Sequence, residues 1–330
     1  MNILITLDYE LFFGQKSGTV EDCILHPTEA LLKIVEPYNV KFSCFVDAGY
    51  LMALERQMHE HPKLKEDHEK VSEQIKNLAA NGHGIELHVH PHWEDSFFDG
   101  SNWEMNTERY KLSDFSEKEV NELVTRYCIT LEKASGKPPV AYRAGGWCAQ
   151  PFGPIQKALL ENNIRIDSTV YPGGYYKSDN QHFDFRGVPQ YKTDYRFSDD
   201  LITENPDGPM REIPISSMKL NPGFFWRFAW KKVRKSSQHI SFGNGNAVAM
   251  PRKELIQLLT RPSYSVASVD GYKASLMRKV FKRYVRNSSP DGNFVLIGHP
   301  KAFSPYSLRK LEEFIKETAG NHQYKTYKDL

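Results

Sequence analysis

From its amino end the chain opens on an apolar, β-branched run over residues 2–8 that stops at Asp8-Tyr9-Glu10. Such a run, free of turn residues, predicts a strand buried on both faces. Apolar residues then fall into helical spacing from His26-Pro27-Thr28-Glu29 to about Glu36, with Leu31, Leu32 and Val35 on one face. Residues 40–46 read as a second strand, the charged residues 55–70 as a solvated helix or insertion, and 71–80 as a helix ending at Asn81-Gly82.

The alternation continues. Residues 93–112 have no period and carry Phe97, Phe98, Trp103 and Tyr110, suiting them to the wall of a groove. Ser116 and Glu119 form a capping box for a helix to about Ala134. Strands are predicted at 139–143, 164–167, 211–215 and 294–299, and helices at 154–161, 251–260 and 307–318. Between 173 and 208 the pattern dissolves into polar loop with one weak strand. Short βα units with polar residues after each strand predict a parallel barrel or a doubly wound sheet. Neither repeats nor a linker divide it, so residues 1–330 read as one domain with an unplaced insertion at about 178–290.

Composition narrows the classes. With 40% hydrophobic and 25% charged residues the chain reads as globular, and a formal net charge of +2 argues against a dedicated nucleic-acid binder. Cys23, Cys44, Cys128 and Cys148 lack C-x-x-C spacing and read as free thiols of a reducing compartment. Asp8 arrives too early for a signal peptide, and no apolar run reaches membrane-spanning length, so a cytoplasmic location is expected.

Candidate chemistry gathers where strands end. His83, His88, His90 and His92 place four of the twelve histidines in ten residues. Neutral imidazole is a common ligand for metals such as zinc. An extended backbone would aim His88, His90 and His92 to one side, whereas a turn after His88 would pair His88 with His92. Asp8 and Glu10 share a strand face and need a cation or an arginine beside them. Arg143 precedes Gly145-Gly146-Trp147, where glycines let backbone N–H groups approach a ligand. Asp167-Ser168-Thr169, with Tyr171 beyond, and the final strand ending in His299 complete the set.

In order, these motifs resemble those of the polysaccharide deacetylases, the NodB-type carbohydrate esterases of family four. Thr6-Leu7-Asp8-Tyr9-Glu10 is similar to their first motif, and Gly82 through His92 to the second. Tyr142-Arg143-Ala144-Gly145-Gly146-Trp147 resembles the third, Asp167-Ser168-Thr169 the fourth, and Leu296-Ile297-Gly298-His299 the last. The resemblance spans residues 2 to about 177 and returns near 294–300. It implies an α/β fold, an incomplete (β/α) barrel of about seven strands, and one divalent metal ion, zinc foremost. It implies Glu10, His88 and His92 as ligands, with Tyr9 between the acids leaving Asp8 as the other candidate carboxylate. By the same resemblance Asp8 is the base, Arg143 its partner, and His299, tuned by Asp167, the acid. His90, Gly146, Trp147 and Tyr171 would contact an N-acetylated carbohydrate, and the products would be acetate and an amino sugar. A cyclic amide or imide hydrolase on this barrel and a catalytically dead carbohydrate- or lipid-binding relative are the alternatives. An amidohydrolase barrel would need its H-x-H on the first strand, which here carries acids.

Two stretches stand outside these motifs. Residues 224–235 hold five cations among aromatics, and 272–286 hold six, neither with an acid. Such helices lie on anionic membranes or acidic polymers, or pack their aromatics inward and solvate their charges. Both occurring in one chain points towards an anionic surface or a lipid-linked glycan.

Overall fold

A computed structural model of the chain describes residues 1–233 and 236–330; Arg234 and Lys235 of the first basic stretch lie outside the described residues. The chain begins with β1 (Asn2–Tyr9), α1 (His26–Val35), β2 (Ser43–Asp47), α2 (Ala48–Gln57), α3 (Pro62–Ala80) and β3 (Gly84–Val89). A hairpin of β4 (Phe97–Phe98) and β5 (Trp103–Glu104) precedes α4 (Glu117–Ser135), β6 (Ala141–Ala144) and α5 (Gly153–Glu161). Next come β7 (Ile166–Asp167), the hairpin of β8 (Tyr175–Lys177) and β9 (His182–Asp184), β10 (Tyr195–Phe197) and β11 (Met210–Glu212). β12 (Ser217–Leu220) pairs with β13 (Ser263–Val266) around α6 (Pro222–Val233) and α7 (Arg252–Thr260). α8 (Met277–Asn287), β14 (Asn293–Gly298), α9 (Pro305–Thr318) and β15 (Gln323–Tyr324) close the chain.

Seven strands run parallel in the order β11-β7-β6-β3-β2-β1-β14, β10 adds antiparallel to β11, and β15 pairs with the start of β1. The sheet curls, and irregular chain bridges β14 towards β11. Ser216 N–H donates to the Val295 carbonyl (3.1 Å), and Ile297 N–H to the Ala267 carbonyl (3.0 Å). The result is the expected incomplete barrel. Its interior is filled by Leu4, Phe45, Ala141, Ile213 and Val295 together with Tyr327 from the carboxyl end.

Local signals explain the element ends. Ser116 Oγ accepts from Glu119 N–H (3.3 Å) while the Glu119 carboxylate accepts from Ser116 N–H (2.8 Å), fixing the start of α4. The strand expected over 211–215 is regular only to Glu212, because Pro214 has no N–H for the ladder. The weak strand expected in 173–208 is instead the β8–β9 hairpin and β10. The second basic stretch is a core helix: α8 buries Met277, Val280, Phe281 and Tyr284 at helical spacing and turns its cations outward, Arg278 to Glu317 at 2.5 Å.

Candidate metal centre

Parallel strands carry all their carboxyl ends to one rim, so residues distant in sequence meet there. Asp8 is the penultimate residue of β1, and Glu10 lies just beyond its end. In register across β2, β3 and β6 lie Asp47, His88 and Arg143, and β14 leads to His299. The side chains of Asp8, Glu10, His88, His90 and His299 line a cavity of about 200 Å³, walled also by Tyr110, Gly146 and Trp147.

Glu10, His88 and His90 each offer a ligand atom, all within 4.8 Å of one another and all buried. Glu10 Oε2 lies 2.8 Å from His90 Nε2 and 3.3 Å from His88 Nε2, and the two Nε2 atoms are 3.1 Å apart. His88 Nδ1 lies 2.9 Å from the Arg143 carbonyl, which can only accept, so Nδ1 carries the proton and Nε2 turns a lone pair inward. Ligand atoms bonded tetrahedrally to zinc stand roughly 3.3–3.6 Å apart, close to the spacing here. A carboxylate and two imidazole nitrogens this close, shut from water, need a positive charge among them. These residues fit a divalent ion.

Charged groups flank the three on both sides. Asp8 Oδ1 accepts from Arg143 Nη1 at 2.6 Å, and the same guanidinium donates to Thr6 Oγ1 and the Ser168 carbonyl while lying 4.0 Å over the Phe45 ring. Burial alone would push the Asp8 carboxyl up, but Arg143, His88 and His299 outweigh it and hold the group below its ordinary value. Glu10 is held well below its ordinary value, burial being outweighed by Lys301, whose Nζ donates to Oε1 at 2.9 Å, and by His90. His299 is fixed by Asp270, whose carboxylate accepts its backbone N–H and stands 2.8 Å from its Nδ1; its Nε2 faces Asp8 Oδ2 at 3.6 Å. Burial lowers the His299 pKa, yet Asp270 and Asp8 raise it more.

Three expected placements are corrected. His92, expected to converge with His88, belongs to neither the ligand group nor the cavity wall; the strand stays extended through Val89, so it is His90 that shares the His88 face. Its ring packs instead against Tyr110 (centroids 5.8 Å, planes 10° apart) and Trp93, and burial drives its pKa down to about 3. Asp167 does not reach His299. It accepts from Thr169 Oγ1 (2.7 Å) and N–H, and sits beside Glu212 across β7 and β11. Tyr171 stands behind Trp147 (5.5 Å) rather than on the cavity.

Gly146 and Trp147 do line it, with left-handed φ of 56° and 61°. A Cβ on Gly145 would lie 2.6 Å from the His90 ring, so that glycine is what lets the imidazole in. Asp270, Lys301 and Gln181, which donates to the Gly146 carbonyl at 2.7 Å, went unnoticed in the sequence. Two of them left a signal. Val266-Ala267-Ser268-Val269-Asp270 is an apolar run ending in an acid, like the one ending in Asp8, and Lys301 follows His299 at strand spacing.

No protein-family model matches the chain, and no curated protein matches it in sequence. Solved structures resembling it include polysaccharide deacetylases, family 4 carbohydrate esterases and an allantoinase. A Mycobacterium smegmatis protein assigned as a polysaccharide deacetylase is 19% identical, with 98% of this chain and 88% of that one covered at a TM-score of 0.46. The PuuE allantoinase is 12% identical (99% and 88% covered, TM-score 0.49). The peptidoglycan deacetylase PdaC from Bacillus subtilis is 11% identical (99% and 88% covered, TM-score 0.37).

Proposed function

We propose that the chain is a metal-dependent hydrolase removing N-acetyl groups from an amino sugar in a polysaccharide, oligosaccharide or lipid-linked glycan. Glu10, His88 and His90 hold one divalent ion, zinc foremost among candidates with this donor set. When bound, that ion supplies a Lewis acid for the amide carbonyl. Asp8 takes the proton of the attacking water, and Arg143 keeps it ionised for that task. His299 gives a proton from Nε2 to the leaving amine, while Asp270 holds its Nδ1–H and steadies the charged ring. Trp147 and Tyr110 wall the space for the acyl group and sugar.

The single observation behind this reading is the convergence in one cavity of three ligand atoms with Asp8 and His299, each held from behind by its own partner, Arg143 and Asp270. A binding module has no need of such pairs. The deciding experiment measures metal content and acetate release from N-acetylated chito-oligosaccharides. His90→Ala should lose metal and activity together, whereas His92→Ala should keep the metal. Full activity in metal-stripped protein, or turnover of a cyclic amide alone, would replace this reading with the cyclic-amide one.

A further inference from the structure

We infer that α6 and α7 form a docking surface for an anionic lipid bilayer. α6 divides its aromatics between two faces. Phe224 is buried and stacks on Tyr272 (5.6 Å), with Phe228 stacked on the same ring from the next turn (6.1 Å). Trp226, Trp230 and Val233, at helical spacing i, i+4 and i+7, lie on the opposite face and are 60%, 59% and 74% exposed. Trp226 Nε1 donates to the Leu259 carbonyl (3.0 Å), which ties α6 to α7 and sets exposed Leu255 and Ile256 beside that face. Val248 and Met250, leading into α7, are exposed as well. Single exposed apolar residues are ordinary, but a contiguous set on two linked helices marks a surface that meets another phase.

Charge selects the occupant. Between Glu212 and Asp270 the sequence holds nine Lys and Arg against one acid, Glu254, which accepts the Tyr176 hydroxyl (2.9 Å). Arg227 borders the exposed stripe of α6, and Arg252 and Lys253 stand exposed at the start of α7. Tryptophan with aliphatic side chains, rimmed by cations, suits the headgroup layer of a bilayer carrying negative lipid. A protein partner's apolar groove would leave those cations unmatched.

The same helix reaches the catalytic rim. Phe228 and Lys231 wall a cleft of about 290 Å³ with Tyr272 and Asp270, the acid that holds His299. Docking through the opposite face of α6 therefore holds that cleft one helix diameter, ~10 Å, from the lipid surface. Combined with the hydrolase reading, on which this one consequence rests, the substrate is an amino sugar carried on a lipid.

The test uses the full chain with vesicles of phosphatidylcholine alone or with 30% phosphatidylglycerol, scored by co-sedimentation and tryptophan emission. Binding is expected to the anionic vesicles only, with an emission blue shift, and to fall as salt rises. The Arg227→Glu, Arg252→Glu pair should weaken it by at least roughly 25-fold, and Trp226→Ser with Trp230→Ser should abolish the blue shift. Lys279→Glu with Lys282→Glu on α8 should change neither, with circular dichroism confirming the fold of each variant. Equal binding to neutral vesicles, binding unaffected by the α6 and α7 substitutions, or self-association through this face in place of lipid binding would overturn the inference. Vesicle binding is measured apart from acetate release, so its failure and that of the hydrolase reading are separable. Acetate release unchanged by placing the N-acetylated sugar on a lipid in anionic vesicles would remove the substrate consequence alone.

Discussion

Two pairs of buried acids stand in or at the end of the main sheet, and their surroundings push their pKa values in opposite directions. Asp8 and Glu10, at the end of β1, are ringed by Arg143, Lys301 and the imidazoles, and both are driven below their ordinary pKa. Asp167 and Glu212, side by side on β7 and β11, meet only neutral donors, Thr169 at Asp167 and the Val170 N–H at Glu212 Oε1, with Arg143 at a distance. Burial pushes both of these up, and Glu212 rises furthest because Asp167 stands against it. Burial is the same in the two pairs. What separates them is whether a cation is delivered, and only the pair with cations is driven towards the charged form.

The sharpest break of that contrast is Arg143→Met. Asp8 would lose its charge partner while staying buried, at a cost of about 3–5 kcal/mol in urea unfolding, and acetate release should fall roughly 10²–10³-fold. A stability within ~1 kcal/mol of the parent would mean that Asp8 is not held as an ion by this guanidinium.

Next in size is the choice between Asp270 and Asp167 as the carboxylate that works through His299. Asp270→Asn should lower kcat roughly 10²-fold with little change in KM and shift the alkaline limb of the pH–rate profile downward, since it removes a charge that raises the His299 pKa. Asp167→Asn should leave kcat within about twofold. The reverse result would return Asp167 to the role that its place in the motif order suggested.

That motif order carried much of the site. Asp8, Glu10, His88, Arg143 and His299 are each legible because each stands at the carboxyl end of an apolar run, and a parallel sheet sends such ends to one rim. The choice between His90 and His92 was not, since it depends on how far the strand stays extended before Pro91. Asp270 was hidden for a different reason. It ends a short apolar run, but that run lies mostly in irregular chain bridging β14, outside the regular alternation of strand and helix. Of the two basic helices, α8 shows its fate in Met277, Val280, Phe281 and Tyr284, spaced for one buried face, whereas α6 sets aromatics all round and cannot bury them together.

The pair without cations gives a pH signature of opposite sign to the one that has them. Glu212 has a folded-state pKa well above its ordinary 4.5, so the folded chain keeps a proton that the unfolded chain releases. The stability it contributes is fully present below that value and is lost as pH rises through the folded-state pKa. Glu212→Gln keeps a neutral hydrogen-bonding group at every pH. It should match the parent near pH 5 and exceed it by about 1–2 kcal/mol at pH 8, read from urea midpoints across that range. Parallel profiles would show that Glu212 is ionised in the fold.

The smallest effect tests how far the working pair depends on what lies beneath it. Tyr327 Oη donates to Ser168 Oγ (2.6 Å), which donates to the Ile213 carbonyl (2.8 Å) and receives Arg143 Nη2 at 3.3 Å. Tyr327→Phe removes one donor but leaves Ser168 its other partners and the ring its contact with Phe45 (5.3 Å). A loss of about 0.5–1.5 kcal/mol in stability is expected, with metal content and kcat unchanged. Tyr327→Ala, which empties the barrel interior, should cost about 3–5 kcal/mol. If the phenylalanine variant instead lost turnover while staying folded, the tyrosine hydroxyl would be setting the Arg143 position, and Asp8 would owe its charge state to the carboxyl end of the chain as well as to the rim.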